Sequence, residues 1–293
     1  MFELILIDFS WLYNRYYYVS KYQADLKGIA FEDREEFIKV QVLNMLSSFL
    51  KIVKEKCFTA KILLVLDTPT SQLNGNPSKD GYKQNRNKEE KSEVYKNLNA
   101  VIAALSEDEK LIFIRAWGYE ADQVIAYLAE KYCDSKAVLI YSGDKDLLQL
   151  TYHKRIKVAD KFEKGQFLVK TDCEIYNKFK NSKGEDFTRI SEDKRDILKY
   201  RVLKGDPSDN LKPVFPRIKD SEIASIIKEY WLDYEEFTPE RAYKIIEDIN
   251  GDNPKLAKKL EDNVDNWVRN YSLMNLHNIS PLKISRIGKK VHA

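Results

Sequence analysis

Short apolar runs alternate with longer periodic segments through the first half of the chain. Residues 3–7, 61–66, 111–114 and 137–141 are dense in Leu, Ile and Val. They lack polar alternation, which predicts strands buried on both faces. Between them, residues 35–56 carry Phe37, Val40, Leu43, Leu46 and Leu50 at three- and four-residue steps. Residues 120–132 repeat the pattern with Val124, Tyr127 and Leu128. This alternation predicts a parallel sheet sandwiched between helices. Two later runs, 156–159 and 166–169, flank Lys164-Gly165 and read as a small hairpin.

Beyond about residue 187 the alternation of apolar runs and periodic segments stops and helical segments dominate, at 192–203, 221–231, 239–249 and 263–275. A polar stretch around Gly184 marks the change and predicts a boundary near 181–188. A second polar stretch, 68–93, interrupts the α/β half and exceeds an ordinary loop.

Composition narrows the classes. The chain has 293 residues, 43% hydrophobic and 32% charged, with only ten Gly and eight Pro. Collagen-like and low-complexity classes are thereby excluded. No apolar run approaches the roughly 20 residues of a membrane span. Glu3 and Asp8 break the first apolar stretch, so no secretory leader is expected. Cys57, Cys133 and Cys173 are few, odd in number and far apart, which predicts a reducing cytoplasm without disulfides. His153, His277 and His292 are equally scattered, so metal chemistry here would use oxygen ligands. Net charge is only +3, but Lys79, Lys83, Arg86 and Lys88 face a single acid, Asp80, and Lys283, Arg286, Lys289 and Lys290 face none.

Acidic residues recur where the expected strands end. Asp8 ends the first and Asp67 the second; Glu120 and Asp122 follow the third, Asp144 and Asp146 the fourth. Ligands of parallel α/β sheets bind at the carboxyl ends of the strands. Converging carboxylates raise one another's pKa, and bound cations relieve the repulsion. Oxygen donors alone favour Mg²⁺ or Mn²⁺. Two such ions about 4 Å apart suit phosphodiester hydrolysis, one activating water and the other stabilising the leaving oxygen. Each acid taken singly also reads as a helix cap or turn former. KGDPSDN, with Asp206 and Asp209, is by itself a good turn sequence. The tyrosines at 13, 16, 17 and 18 read first as the packed face of a helix.

Five stretches, LIDFSWLYNR, YKQNR, GYEADQVIAYLA, SGDKDLLQL and LKGDPSDN, occur in an order and spacing that resemble the 5′-nuclease or flap-endonuclease family. That family includes the exonuclease domain of bacterial DNA polymerase I and phage 5′→3′ exonucleases, and the chain is most similar to its T-even phage ribonuclease H branch. The resemblance runs from Asp8 to about Ile218, with an extension toward Asn275. It implies an α/β fold: a PIN-like parallel sheet flanked by helices, then a smaller helix–three-turn–helix DNA-binding region. Residues 1–187 would form the nuclease core, with an arch insert at about 68–107. Residues 188–293 would form the helical region and a basic tail.

The resemblance also implies metal-dependent 5′→3′ exonuclease and 5′-flap endonuclease activity, removing RNA primers and flaps during DNA replication. Two Mg²⁺ ions, replaceable by Mn²⁺, would be held by two carboxylate sets. Asp8, Asp67, Glu120, Asp122 and Asp144 would hold the first. Asp144, Asp146, Asp206 and Asp209 would hold the second, with Asp144 shared and catalytically central. Lys83 and Arg86 would contact the scissile phosphate, and Tyr82 would stack on the terminal base. Arg15 would lie near the substrate, and Lys212, Arg217 and Lys219 would grip the backbone of duplex DNA. The implied partners are DNA with a 5′ flap or 5′ end and RNA–DNA hybrid, with a single-strand-binding protein or replicative polymerase as protein partner. A cytoplasmic monomer without membrane attachment is expected, in the host cytoplasm if the gene is a phage's.

Two departures stand out. The family follows GDxSDN with a glycine-rich hairpin, whereas this chain reads LKPVFPRIKD, with Pro213, Pro216 and Lys219 at or beside the glycine positions. The potassium site and duplex grip of the family are in question there. Gln123 stands where many relatives have Asp. A PIN-type single-strand ribonuclease and a non-catalytic DNA-junction-binding protein remain as alternatives. A haloacid-type phosphatase fits less well, because Asp8-Phe9-Ser10 lacks the second acid of its DxD pair.

Overall fold

The computed structural model describes residues 2–68, 73, 88–108, 111–180, 183–277 and 279–287. Among them, seven strands form one sheet: β1 (Leu4–Asp8), β2 (Lys61–Val65), β3 (Ile112–Ala116), β4 (Val138–Tyr141), β5 (Ile156–Glu163), β6 (Gln166–Val169) and β7 (Ile284–Ile287). Their order is β6-β5-β4-β1-β2-β3-β7. The five inner strands are parallel, as the apolar runs predict. Both margins are antiparallel, β6 on β5 and β7 on β3, so the whole sheet is mixed. The strand β7 comes from the basic stretch near the end of the sequence and was not expected as a strand.

Period-two geometry explains why β1 has no polar position. Leu4 and Leu6 enter one core, whereas Ile5 and Ile7 enter the other. The Ile5 side is covered by α1 (Phe9–Leu26), α2 (Phe31–Lys56) and α3 (Lys88–Leu105). Tyr13 and Tyr17 are fully buried there, and the Tyr13 hydroxyl donates to the Val94 carbonyl at 3.0 Å. Part of the expected insert is therefore a helix packed on the core. The Leu4 side is covered by α4 (Ala121–Cys133) and the helical half.

That half comprises α5 (Asp172–Asn177), α6 (Asp196–Lys204), α7 (Asp220–Ser225), a π-helical turn at Ile226–Tyr230, α8 (Pro239–Asp252), α9 (Pro254–Glu261) and α10 (Val264–Met274). Proline sets the first turn of both α8 and α9, where its missing N–H is harmless, and Thr238 and Asn253 cap them. Trp231 and Trp267 are fully buried edge to face, 5.5 Å between ring centroids. Their cluster is continuous with the β-sheet core. Gln149 ties the two halves: its amide donates to the Met274 carbonyl at 3.0 Å and accepts from the Leu276 N–H at 3.1 Å. No described helix is long and apolar enough to cross a membrane.

Candidate active site

The register of the inner strands sets the carboxylates at one edge of the sheet. Asp8 pairs with Val65 on β2, and Ile7 pairs with Tyr141 on β4. Asp67 and Ser142 thus leave their strands beside Asp8. Asp8 caps α1: one carboxylate oxygen accepts from the Trp11 N–H at 2.9 Å, and the other accepts from the Ser142 hydroxyl at 2.8 Å. The Ser142 hydroxyl also accepts from the Asp144 N–H at 3.1 Å, so one serine joins two strand ends. Ser10 accepts from the Asp67 N–H at 3.0 Å, and Asp67 in turn accepts from the Ala121 N–H at 2.7 Å. This last bond draws the Glu120-Ala121-Asp122 segment onto the Asp67 carboxylate.

Gly143 explains the glycine of SGDKD. A Cβ there would lie 2.5 Å from the Trp11 indole nitrogen, so no larger residue fits without displacing Trp11. Asp144 follows and accepts from the Asp146 N–H at 2.8 Å. At the head of α4, Gln123 accepts from the Glu120 N–H at 3.0 Å. The glutamine that replaces a family carboxylate thus serves as the reciprocal cap of its own helix.

The electrostatics separate two groups. Burial pushes the Asp8 carboxyl up to about 7, with repulsion from Asp67 and Asp144 adding to it. Burial likewise pushes Asp146 up to about 7, against the pull of Arg201 and with repulsion from Asp144, Asp209 and Asp206. Asp144 is thus the carboxylate common to both neighbourhoods. The Arg201 guanidinium, nearly buried, forms ion pairs with Asp146 and, at 2.7 Å, with Asp206. Burial acts to raise Asp206 too, but bonds from Ser208 and the Arg201 charge outweigh it and hold this carboxyl below its ordinary range.

The loop bearing Asp206 and Asp209 is closed by reciprocal backbone bonds between Asp206 and Leu211, 2.9 and 2.8 Å. Gly205 enters it at φ +73°, with the Lys212 backbone 2.5 Å from where a Cβ would stand. Asp209 is only 9% exposed. Beyond it, Lys212, Arg217 and Lys219 are all exposed. Arg217 adopts φ +60°, the left-handed region that a glycine would occupy without strain. The hairpin that lacks the family glycines thus keeps a left-handed residue.

Other expected positions are placed differently. Arg15 donates to the Asp160 carbonyl at 3.0 Å and stands 5.6 Å from the Trp11 ring, toward β5. Tyr82, Lys83 and Arg86 lie outside the described residues. Sequence reasoning missed Ser10, Ser142 and Arg201. The two serines stand next to strand-end acids, which was a usable signal. Arg201 gave none, because its partners are 55 positions before it and five after it.

Among the described residues, no three His, Cys, Asp or Glu side chains are arranged around a point that could hold a metal ion. The carboxylate oxygens are instead turned to hydroxyl, N–H and guanidinium donors. The donor set is nevertheless all oxygen, and the charged groups that bear on the buried Asp8 carboxyl are the acids Asp67 and Asp144. On both counts the residues fit a hard divalent cation.

A curated 5′-3′ exonuclease of Mycoplasmopsis pulmonis (strain UAB CTIP) is 27% identical over 212 residues, covering 72% of this chain and 62% of the relative. DNA polymerase I of Bacillus subtilis (strain 168) is 28% identical over 171 residues, 58% of this chain and 17% of that one. The chain therefore spans less than two thirds of the length of these relatives. T5 5′-exonuclease, in a structure with divalent metal ions (zinc) bound, superposes with a TM-score of 0.59 at 17% identity, covering 94% of this chain and 89% of that one. The T5 D15 protein, co-crystallised with metal ions, gives 0.57 at 18% identity, with the same coverage. Both show the fold that the sheet order and helical layers describe. The family model of the 5′-3′ exonuclease N-terminal resolvase-like domain matches residues 3–180, more than half of the sequence, and the chain belongs to that 5′-3′ exonuclease family.

Proposed function

We propose that the chain is a metal-dependent, structure-specific 5′ nuclease that hydrolyses phosphodiesters at 5′ ends and 5′ flaps. The observation that carries this reading is the place of Asp144, whose charge bears on both Asp8 and Asp146 at the carboxyl edge of the sheet. Asp8, Asp67, Glu120, Asp122 and Asp144 would hold one Mg²⁺, and Asp144, Asp146, Asp206 and Asp209 a second, with Mn²⁺ as substitute. When bound, such ions supply an activated water and neutralise the leaving oxygen.

The chain's own part is orientation. Ser142 and the Trp11 N–H fix the Asp8 carboxylate, the Ala121 N–H fixes Asp67, and Arg201 fixes Asp146 and Asp206. Lys83 and Arg86 would neutralise charge developing on the phosphoryl group. Tyr82 would stack on the terminal base, which contributes about 1–3 kcal/mol. Arg15 would approach the substrate from the Trp11 side. The exposed Lys212, Arg217 and Lys219 would position duplex DNA through its phosphates. Residues 1–187 would act as nuclease core and 188–293 as the helical DNA-binding region. RNA–DNA hybrid is the second substrate, a single-strand-binding protein or replicative polymerase the protein partner, and a cytoplasmic monomer the acting form.

The test is cleavage in Mg²⁺ of a 5′-flap duplex, a nicked RNA–DNA hybrid and free single-stranded RNA, by wild type and Asp144→Asn. Cleavage at the flap junction or 5′ end, lost in the variant, is the expected result. Cleavage of free RNA alone would overturn the reading in favour of a single-strand ribonuclease.

A further inference from the structure

A concavity lies at the sheet edge opposite the carboxylates, where the amino ends of β2 and β3 meet the carboxyl end of α4. It encloses about 410 Å³. Leu63, Ile112 and Leu282 contribute apolar walls. Lys61, Lys131 and Lys136 contribute the charge, and no residue lining the cavity is acidic. Lys131 stands 5.5 Å from the Tyr127 ring and 5.8 Å from the Tyr132 ring, and Lys136 stands 5.6 Å from Tyr132. Such contacts hold the ammonium groups over the rings without neutralising them. Among the described residues, no carboxylate forms an ion pair with these three lysines. Of the two acids adjacent in sequence to the lining, Glu3 accepts from the Ala137 N–H at 3.0 Å and Glu130 is engaged by the His277 ring at 2.8 Å.

We propose that this groove docks an acidic peptide segment of a partner protein, one that inserts a bulky apolar side chain between the lysines. Three uncompensated ammonium groups call for an anionic partner, and the leucine and isoleucine walls call for an apolar group beside the charge. The volume falls within the range that specific small ligands and side-chain anchors occupy. Nucleic acid fits the position poorly. Strands of five residues, roughly 17 Å long, separate the groove from the carboxylates at the other edge, and DNA engaged there would lie on the far side. The chain's own residues after Ile287 are no better suited, because they include Lys289 and Lys290 and no acid.

The test uses the full chain and a fluorescein-labelled hexapeptide of four aspartates followed by leucine and phenylalanine, followed by fluorescence anisotropy. Micromolar binding is expected. The double variant Lys131→Glu/Lys136→Glu should weaken it by at least about tenfold, as expected when complementary charge is reversed. Ile112→Trp, which fills the groove without changing its charge, should weaken it similarly. A peptide of six aspartates should bind wild type at least about tenfold more weakly, because the apolar anchor is missing. Thermal unfolding of both variants should stay cooperative, which separates lost docking from lost folding. No binding, or binding indifferent to both variants, would overturn the proposal. So would displacement of the peptide by a single-stranded oligonucleotide whose own affinity falls in the double variant, which would make the groove a nucleic-acid contact.

Discussion

The Asp8 neighbourhood and the Asp146 neighbourhood share Asp144 and the same chemistry, yet they are neutralised differently. Around Asp8 the compensation is dipolar: a serine hydroxyl and backbone N–H groups point at Asp8 and Asp67, and the carboxyl rises to about 7. Around Asp146 the compensation is ionic, because the Arg201 guanidinium sits between Asp146 and Asp206. Dipoles orient a carboxylate without cancelling its charge; a buried arginine does both. Burial pushes Asp8 and Asp146 alike up to about 7, so both neighbourhoods leave a demand for an external cation, and only the second carries part of its counter-charge within the chain.

The strongest challenge to this comparison is the shared residue. Asp144→Asn should lower flap cleavage by about 10³-fold or more, the scale of losing a metal-ion contribution of several kcal/mol, with DNA affinity retained. Single-turnover rates beside a binding titration in Ca²⁺ measure this. A rate within tenfold of wild type would remove Asp144 from the centre of the site.

Arg201→Leu tests the ionic side. It leaves Asp146 and Asp206 without their paired cation and should destabilise the metal-free chain by about 3 kcal/mol. Mg²⁺ should restore more stability to this variant than to wild type, read as the rise in Tm. Equal rises would show that Arg201 and the metal do not compete for the same carboxylates.

Asp8→Asn tests the dipolar side and should do the reverse. The amide oxygen can still accept the Trp11 N–H, while the repulsion from Asp67 and Asp144 disappears. A gain of about 1–2 kcal/mol in EDTA at pH 8 is expected, together with loss of cleavage. The pH dependence follows from the same carboxyl. Its folded pKa is raised from 3.8 to about 7, so the folded chain retains a proton that the unfolded chain releases. This group's contribution is full below pH 3.8 and is lost as pH rises to about 7. Asp206, held low by Ser208 and Arg201 against its burial, contributes the other way, losing stability as pH falls. Chemical denaturation in EDTA across pH 4–8 should show Asp8→Asn flattening the decline that wild type shows as pH rises toward about 7.

The smallest effect concerns the loop beyond Asp209. Arg217→Gly relieves a left-handed backbone and should stabilise the fold by under about 1 kcal/mol, since glycine also gains entropy in the unfolded chain. It should weaken duplex binding if the exposed guanidinium meets phosphate.

Much of this was readable because burial on two faces erases polar alternation. The runs that became β1 to β4 have no other explanation in an α/β chain, and an acid closing each run stands out against Leu, Ile and Val. Legibility failed where a feature depends on a distant partner. Ile284–Ile287 has only two apolar positions among polar and basic ones, and becomes a strand because Phe113, Ile114, Arg115 and Ala116 offer a free edge. Arg201 looks like any basic residue near a helix end until the fold brings Asp146 to it. Gln123 looked like a lost ligand, whereas its carbonyl is occupied by the Glu120 N–H. Residues Tyr82, Lys83 and Arg86 were legible as a motif, yet they fall outside the described residues.

The pairing of β7 with β3 has a kinetic meaning. Ile284 registers with Ala116 and Ile287 with Phe113, so this edge is built from segments about 170 positions apart. During synthesis the inner strands are made long before their last neighbour. At roughly 5–20 residues per second, β3 spends on the order of ten seconds or more with its outer N–H and C=O groups uncovered. An uncovered edge is a template for another chain. The same four residues that finish the sheet thus set the interval during which a nascent copy is exposed to its neighbours on the polysome.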